Sequence, residues 1–188
     1  RLENNFLKEE NVRLKSLIDE KSLFSENYYL TKTLLDQESP YLRSIIINKG
    51  FKHGIKIGSA VRSGSYFVGK VIEVNYLTSR TLLINDLNSK IPVIIEPNGI
   101  SAILSGNGSQ LFGDIEYLPE VNQVEEGHIV YTSGTDGIIS SGIPVGKIII
   151  KNGEKFVRFF AEFDQIEYVK VYFKKWVYFQ TGFIPKLL

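Results

Sequence analysis

The residues best suited to chemistry occur in the order found in chymotrypsin-like serine proteases: His53, then Asp86 or Asp114, then Ser133. In such a triad Ser133 would be the nucleophile, His53 its general base, and an aspartate would orient the imidazole. Ser133 follows Tyr131-Thr132 and precedes Gly134, so the Gly-Asp-Ser-Gly context that builds the oxyanion hole in those enzymes is missing. Three common residue types fall in one order easily by chance. We therefore predict that the chain is not an enzyme, with a trypsin-like two-barrel serine hydrolase as an alternative.

Metal and cofactor chemistry is also disfavoured by the sequence. It contains no Walker motif, dinucleotide fingerprint, HExxH or CxxC. The chain has no Cys and only two histidines, His53 and His128, neither of which has a further ligand at helical spacing. The adjacent acids Glu125 and Glu126 precede Gly127 in a polar turn, where carboxylates are usually solvated. The sequence therefore predicts no metal site and no cofactor.

Composition indicates a folded body without a strong electrostatic field. Of 188 residues, 43% are hydrophobic, and 22 Lys and Arg nearly balance 21 Asp and Glu. A formal net charge of +1 predicts no binding to nucleic acid. The chain has no Met and opens in mid-pattern at Arg1-Leu2-Glu3, so we expect a fragment of a longer protein. No stretch approaches the roughly 20 apolar residues of a membrane-spanning helix, but an anchor upstream is compatible with a fragment.

The N-terminal segment has the pattern of one long helix. It contains no Gly or Pro between Leu2 and Asp36, and Ser39-Pro40 is expected to end it. A helix of this length would extend roughly 50 Å, too far to lie entirely on a small β domain. Its apolar face repeats at near-heptad spacing, which predicts a parallel coiled-coil dimer with a seam formed by Leu7, Asn11, Leu14, Ile18, Tyr28 and Leu35.

Two features of this helix remain open. Asn11 either fixes register inside the seam, at a cost in stability, or lies at its solvent edge on a slightly rotated helix. The helix as a whole either pairs with a second copy or folds back on its own globular body as an amphipathic surface helix.

The chain after Leu42 reads as mainly β, with short runs of Ile, Val, Phe, Tyr and Thr separated by Gly, Asn and Ser. Asn152-Gly153, between two such runs, predicts a type I′ hairpin. Many short strands at this spacing favour sandwich or barrel units. The predicted strands are 43–47, 59–62, 66–74, 80–84, 91–96, 100–104, 110–118, 129–132, 145–151, 155–163 and 166–173.

The last residues, 176–188, form an apolar tail that includes Trp176, Phe179 and Phe183. Either they form a last strand that covers a barrel, which we favour, or they contact a partner protein or a membrane surface.

Three sequence blocks carry a resemblance to a known family. The first is 48–61, with Gly50 and Gly54 before a valine strand. The second is 67–86, in which Gly69 is followed by Thr78-Ser79-Arg80 and a run that ends in Asp86. The third joins Thr132-Ser133-Gly134 to the strand entry Gly142-Ile143-Pro144-Val145-Gly146. In this order, behind a predicted coiled coil, they resemble the MreC family of rod shape-determining proteins over about residues 45–174.

The motif residues are expected to be architectural, since glycines permit positive φ and close approach of neighbouring strands. Arg80 is expected to be a structural ion-pair donor, for instance to Asp86, with a partner contact as the alternative. Two departures from the family pattern occur: Asn48 replaces an acid, and Ser140-Ser141 replaces a proline-containing approach to Gly142.

The resemblance implies a mainly β fold, in which an N-terminal coiled-coil helix (1–38) precedes two small β-barrels (39–114 and 115–175) and the tail. The strand near 43–47 would pair with either barrel. It also implies a single-pass anchor upstream in the bacterial inner membrane, with this region in the periplasm.

The role implied is a non-enzymatic scaffold of cell-wall elongation. Such a protein forms homodimers, and possible filaments, and associates with MreD, MreB and the elongation class B penicillin-binding transpeptidase, which it would bind and activate. A generic membrane-anchored coiled-coil adaptor is the alternative.

Overall fold

The structure is a computed structural model that describes residues 27–35, 43–119, 123–135, 137, 139–164 and 166–173. This part of the chain is built from strands, and its single helical element is the 3₁₀ turn Phe51–His53. The strands are β1 (Asn27–Leu35), β2 (Ser44–Ile47), β3 (Ala60–Ser63), β4 (Tyr66–Val74), β5 (Ser79–Leu83), β6 (Lys90–Glu96), β7 (Ile100–Gly106), β8 (Phe112–Glu116), β9 (Ile129–Thr132), β10 (Pro144–Lys151), β11 (Glu154–Phe159) and β12 (Tyr168–Phe173).

The helix prediction is wrong for residues 27–35, because they form β1. Tyr28 and Leu35, assigned to the coiled-coil seam, therefore lie on a barrel strand. Exposure alternates along this segment: Tyr28 and Leu30 are exposed on one face, and Thr31 is buried on the other. This alternation is typical of a strand with one solvent-exposed face. The other seam residues, Leu7, Asn11, Leu14 and Ile18, lie outside the described residues, as does the 176–188 tail.

The strands close into two six-stranded barrels. The first has the order β1-β12-β3-β4-β5-β2, and the second has the order β10-β11-β8-β7-β6-β9. The second barrel is thus one continuous stretch inserted between β5 and β12 of the first. The predicted boundaries 39–114 and 115–175 are wrong, because β6, β7 and β8 belong to the second barrel and β12 returns to the first. β2 pairs with β1 and β5, so the strand near 43–47 belongs to the first barrel.

Each barrel has its own core, and the two cores meet. The first is packed around Ile47, Val61 and Val71, and the second around Val93, Leu104 and Ile148. Phe67 and Ile84 come from the first-barrel half of the chain but pack in the second core. The half-buried Phe163 touches both cores. The barrels therefore share an apolar contact in addition to two connecting segments.

The hairpin between β10 and β11 is confirmed. Asn152 and Gly153 have φ values of 51° and 82°, as a type I′ turn requires. None of the described residues forms a helix long and apolar enough to span a membrane.

Candidate partner-binding surfaces

The first motif fastens a loop to the end of the first barrel. The N–H of Phe51 donates to the carbonyl of Asn75 at 2.9 Å, and that of Lys52 donates to the carbonyl of Tyr76 at 3.1 Å. A Cβ on Gly50 would lie 2.2 Å from the Asn75 oxygen, so a larger residue cannot make this approach. Gly54 then turns the chain with a φ of 76°, which favours glycine.

This loop borders an open cleft of about 590 Å³, which we call the first-barrel cleft. Its lining is mostly apolar, and the side chains of Phe51 and Ile57 are 72% and 68% exposed. Large apolar side chains that are exposed together to solvent mark surfaces that bind other molecules. The lining residues are Phe51, Ile55, Lys56, Ile57, Val74, Asn75 and Tyr76.

His53 has a structural role beside this cleft. Its Nδ1 accepts a hydrogen bond from the N–H of Gly50 at 3.1 Å, which requires the neutral imidazole. Its ring meets the edge of Tyr29 at 5.8 Å, and the ammonium of Lys49 lies 5.3 Å from the centre of the same Tyr29 ring. Burial lowers the pKa of His53 below 6.5, and the charges of Lys49 and Lys52 lower it further.

The Thr78-Ser79-Arg80 run stabilises the same end of the barrel. The Ser79 hydroxyl donates to the carbonyl of Lys49 at 2.7 Å, and the carbonyl of Thr78 accepts from the N–H of Asn75 at 2.8 Å. Arg80 Nη1 lies 2.6 Å from Glu73 Oε2. The ion pair expected for Arg80 is thus present, but its acid is Glu73 and not Asp86, because residues 73 and 80 are cross-strand neighbours on β4 and β5.

Asp86 instead stabilises the junction between the barrels. It is 2% exposed, and its Oδ2 accepts a 2.6 Å hydrogen bond from the N–H of Arg43 in the first barrel. Its Oδ1 accepts from the N–H of Asn88 at 2.7 Å. Gly106 of the second barrel packs against the Asp86 backbone: a Cβ added to Gly106 would lie 2.0 Å from the Asp86 carbonyl oxygen. One residue thus contacts both barrels.

The third motif shapes the second barrel. The Thr132 hydroxyl donates to the carbonyl of Ser140 at 2.7 Å and accepts from the N–H of Ile143 at 3.1 Å. Gly142 has a φ of 81°, and its N–H donates to the Thr132 carbonyl at 2.8 Å. The register of β10 shifts between Pro144 and Gly146. A Cβ on Gly146 would lie 2.3 Å from the carbonyl of Arg158, so this position needs glycine.

A second open depression of about 470 Å³ lies on the second barrel, and we call it the second-barrel groove. Ser133 of the third motif lines it, next to Thr135, and the N–H of Ser133 donates to the carbonyl of Pro92 at 3.1 Å. The motif therefore builds part of a concave surface. Its lining residues are Pro92, Val93, Ser101, Ala102, Ile103, Tyr117, Ser133 and Thr135.

Tyr117 is the most unusual residue of this groove. Its side chain is 78% exposed, and its backbone has a φ of 59°, a conformation that costs a tyrosine free energy. Next to it, Lys90 Nζ lies 2.8 Å from Glu116 Oε2. This hydrogen bond raises the pKa of Lys90 and lowers that of Glu116, so both groups remain charged at neutral pH. An exposed aromatic ring beside a fixed ion pair suits protein recognition.

The triad candidates do not come together. The Ser133 hydroxyl bonds to Thr135 Oγ1 at 2.7 Å, and Asp114 accepts from Asn107 Nδ2 at 2.7 Å. His53 Nδ1 accepts from the N–H of Gly50, and the Asp86 carboxylate accepts from the N–H groups of Arg43 and Asn88. The hydrogen bonds of each candidate therefore go to residues outside the trio. Within the described ranges, no three potential metal ligands cluster.

The exposed side chains of both surfaces are not among the site residues predicted from the sequence. Phe51, Ile57 and Tyr76 fall in turn segments between predicted strands, where a large apolar residue is itself a signal of a binding surface. Tyr117 lay inside a predicted strand, and no local sequence signal indicated its positive φ.

Comparisons with known proteins agree with this architecture. Residues 34–173 match the family model described as "Rod shape-determining protein MreC, barrel core". The chain is 31% identical over 166 residues to the cell shape-determining protein MreC of Caulobacter vibrioides, covering 88% of this chain and 48% of that protein. It spans about half the length of the first curated relatives it matches.

Solved structures give the same result. MreC from Pseudomonas aeruginosa is 27% identical, with a TM-score of 0.67, and the match covers 78% of this chain and 99% of that one. The complex between penicillin-binding protein PBP2 and MreC from Helicobacter pylori matches at 18% identity with a TM-score of 0.57, covering 79% and 99% of the two chains, and supports the fold alone.

Proposed function

Because this chain belongs to the MreC family of rod shape-determining proteins, we propose that it is a non-enzymatic scaffold of the cell-wall elongation machinery. It binds the elongation class B penicillin-binding transpeptidase and favours that enzyme's active arrangement, by stabilising one of its conformations and without chemistry of its own. The chain lies in the periplasm behind a single-pass anchor. It self-associates and acts together with MreD and MreB.

The observation that carries this proposal is Tyr117. A strained backbone conformation persists when the surrounding structure fixes it, and such positions cluster at functional sites. Here the strain holds a large aromatic ring outward beside an apolar groove. The choice of partner class follows the Helicobacter pylori complex, in which that organism's MreC is joined to the penicillin-binding protein PBP2.

The second-barrel groove has the composition of a binding hot spot. Ala102 and Ile103 contribute apolar lining, Ser133 and Thr135 contribute hydroxyls, and the Lys90–Glu116 pair places charge next to Tyr117. Central aromatics in such surfaces supply most of the binding free energy, while polar surroundings exclude water.

Sedimentation of the chain with its cognate transpeptidase ectodomain tests the proposal. We expect a complex that Tyr117→Ala weakens by about 10- to 100-fold, because one buried aromatic anchor contributes about 1.4–2.8 kcal/mol. Leu111→Ala is the matched control, since Leu111 is also well exposed but lies outside the groove lining.

Failure of the unaltered chain to bind the transpeptidase, while it still dimerises, would favour the generic adaptor instead. Equal losses of affinity for Tyr117→Ala and Leu111→Ala would show that the second-barrel groove is not part of the interface.

A further inference from the structure

Both ends of the described chain meet beside the first-barrel cleft. Asn27, the first residue of β1, pairs with Phe173, the last residue of β12. The Phe173 ring stacks on Tyr29 with 4.7 Å between centroids. A Cβ on Gly54 would lie 3.8 Å from the same ring. The segment that precedes Asn27 therefore enters next to the loop that forms the cleft.

The cleft combines an apolar lining with a cationic rim. Phe51, Ile57 and Tyr76 present large exposed apolar surface. Lys56 lines the cleft, Lys52 follows the lining residue Phe51 in the same 3₁₀ turn, and the Lys49 ammonium lies 5.3 Å from the centre of the Tyr29 ring near the chain end. Glu73, at the end of β4, is already bridged to Arg80. This surface suits a segment that is apolar at its centre and acidic at its edges.

The sequence just before β1 has this pattern. It reads Asp19-Glu20-Lys21-Ser22-Leu23-Phe24-Ser25-Glu26, two adjacent apolar residues flanked by three acids and one Lys. Phe24 lies three positions before Asn27, a reach of roughly 10 Å in extended chain. The C-terminal segment 174–188 also starts nearby, but it contains three Lys and no acid. Charge therefore favours the N-terminal segment.

We propose that residues 19–26 dock into the first-barrel cleft of their own chain. Leu23 and Phe24 cover the exposed apolar lining, and the flanking acids face the lysines of the rim. Docking fixes the direction in which the N-terminal segment leaves the barrels. A partner that binds this segment would then also constrain the orientation of both barrels.

Disulfide trapping in the full chain tests this proposal, because the native sequence has no Cys. The trapped pair is Ser25→Cys with Ile57→Cys, which keeps Leu23 and Phe24 in place. The matched control pairs Ser25→Cys with Leu87→Cys, since Ile57 and Leu87 are both 68% exposed and Leu87 lies at the barrel junction. We expect an intramolecular disulfide that forms at least about tenfold faster at position 57, because docking raises the local thiol concentration.

The charged rim provides a second readout. Lys52→Glu with Lys56→Glu is expected to slow trapping at position 57. The same charge reversal at Lys147, which is exposed, and at Lys155, which is half-buried, changes two lysines of the second barrel and is expected to leave the trapping rate unchanged.

Three results would overturn the proposal. Equal trapping rates at positions 57 and 87 would mean that the segment does not dock. Disulfides formed only between chains would assign the cleft to a second copy. Faster trapping of Ile57→Cys by Gln180→Cys than by Ser25→Cys would assign it to the C-terminal segment.

Discussion

The Asp86 carboxylate accepts a 2.6 Å hydrogen bond from the backbone N–H of Arg43, a residue 43 positions earlier in the chain. Asp86 lies between β5 of the first barrel and β6, the first strand of the second. Its carboxylate also accepts from the N–H of Asn88. One buried acid with two backbone donors therefore stabilises the junction, beside the apolar contact that the barrels share.

Asp86→Asn is expected to lower the free energy of unfolding by about 1–3 kcal/mol, and Asp86→Ala by about 2–4 kcal/mol. An amide retains one accepting oxygen, so one buried N–H loses its acceptor, whereas alanine leaves both without one. Urea denaturation measures the loss, with Asp164→Asn on the exposed surface as the control. An Asp86→Asn protein as stable as the unaltered chain would show that the carboxylate does not stabilise the junction.

Gly69→Ala is expected to cost about 3 kcal/mol or more, because the new Cβ would lie 2.2 Å from the carbonyl oxygen of Leu82 on the neighbouring strand. The control is Gly99→Ala, where no atom lies within 4 Å and only a φ of 64° is unfavourable. We expect about 1–2 kcal/mol there. Thermal unfolding of the two variants separates steric overlap from backbone strain, and equal losses would contradict the close approach.

The free energy of unfolding is expected to decrease as pH is lowered, because the pKa of His53 is depressed in the folded chain. Because its pKa is lower in the folded chain than the ordinary 6.5, the unfolded chain binds the extra proton first as pH falls. The stabilisation is complete above 6.5 and is lost as pH falls from 6.5 toward the folded pKa. Unfolding of His53→Asn, measured from about pH 7.5 to about pH 5, should show a weaker dependence on pH.

Lys52→Gln supplies an independent check of this pH effect by NMR. It removes one of the two charges that depress the pKa of His53, so the imidazole should titrate at higher pH than in the unaltered chain. An unchanged titration would eliminate Lys52 as a cause.

Dimerisation, if it uses the N-terminal segment, should depend on Leu14 and not on Tyr28. Leu14→Asp places a charge in the predicted seam and is expected to convert a dimer to a monomer in sedimentation. Tyr28→Asp alters a barrel strand, where the ring packs 5.5 Å from Tyr172, and should leave the dimer intact. Dissociation by Tyr28→Asp alone would place the contact on the barrel.

Local sequence was sufficient for the strands and turns that depend on neighbouring residues. The β10–β11 hairpin follows from Asn152-Gly153, because this turn needs two positive φ values in succession. The distribution of strands between the barrels depends instead on contacts distant in sequence. β12 closes the first barrel by pairing with β1 and β3, more than 100 residues earlier, and no local pattern indicates that pairing.

Tyr28 and Tyr117 illustrate two other limits. Tyr28 fits both a near-heptad stripe and an alternating strand, and the choice between them is made by β12, whose Tyr172 lies opposite in the register. The left-handed backbone of Tyr117 opposes the intrinsic preference of its residue type, so it follows from the surrounding tertiary structure. Sequence patterns therefore do not predict the second-barrel groove, although one of its lining residues, Ser133, belongs to the third motif.

The insertion of the second barrel within the first has a consequence for synthesis. Because synthesis starts at the N-terminus, β1 to β5 are made first, but they lack β12, the strand that completes their barrel. All six strands of the second barrel, between Lys90 and Phe159, emerge before Tyr168 of β12. The second barrel can thus close while the first still has open edges at β1 and β3, which are exposed to unwanted pairing with other chains. The barrel whose synthesis begins first is completed after the other, and the six residues of β12 decide when its edges are protected.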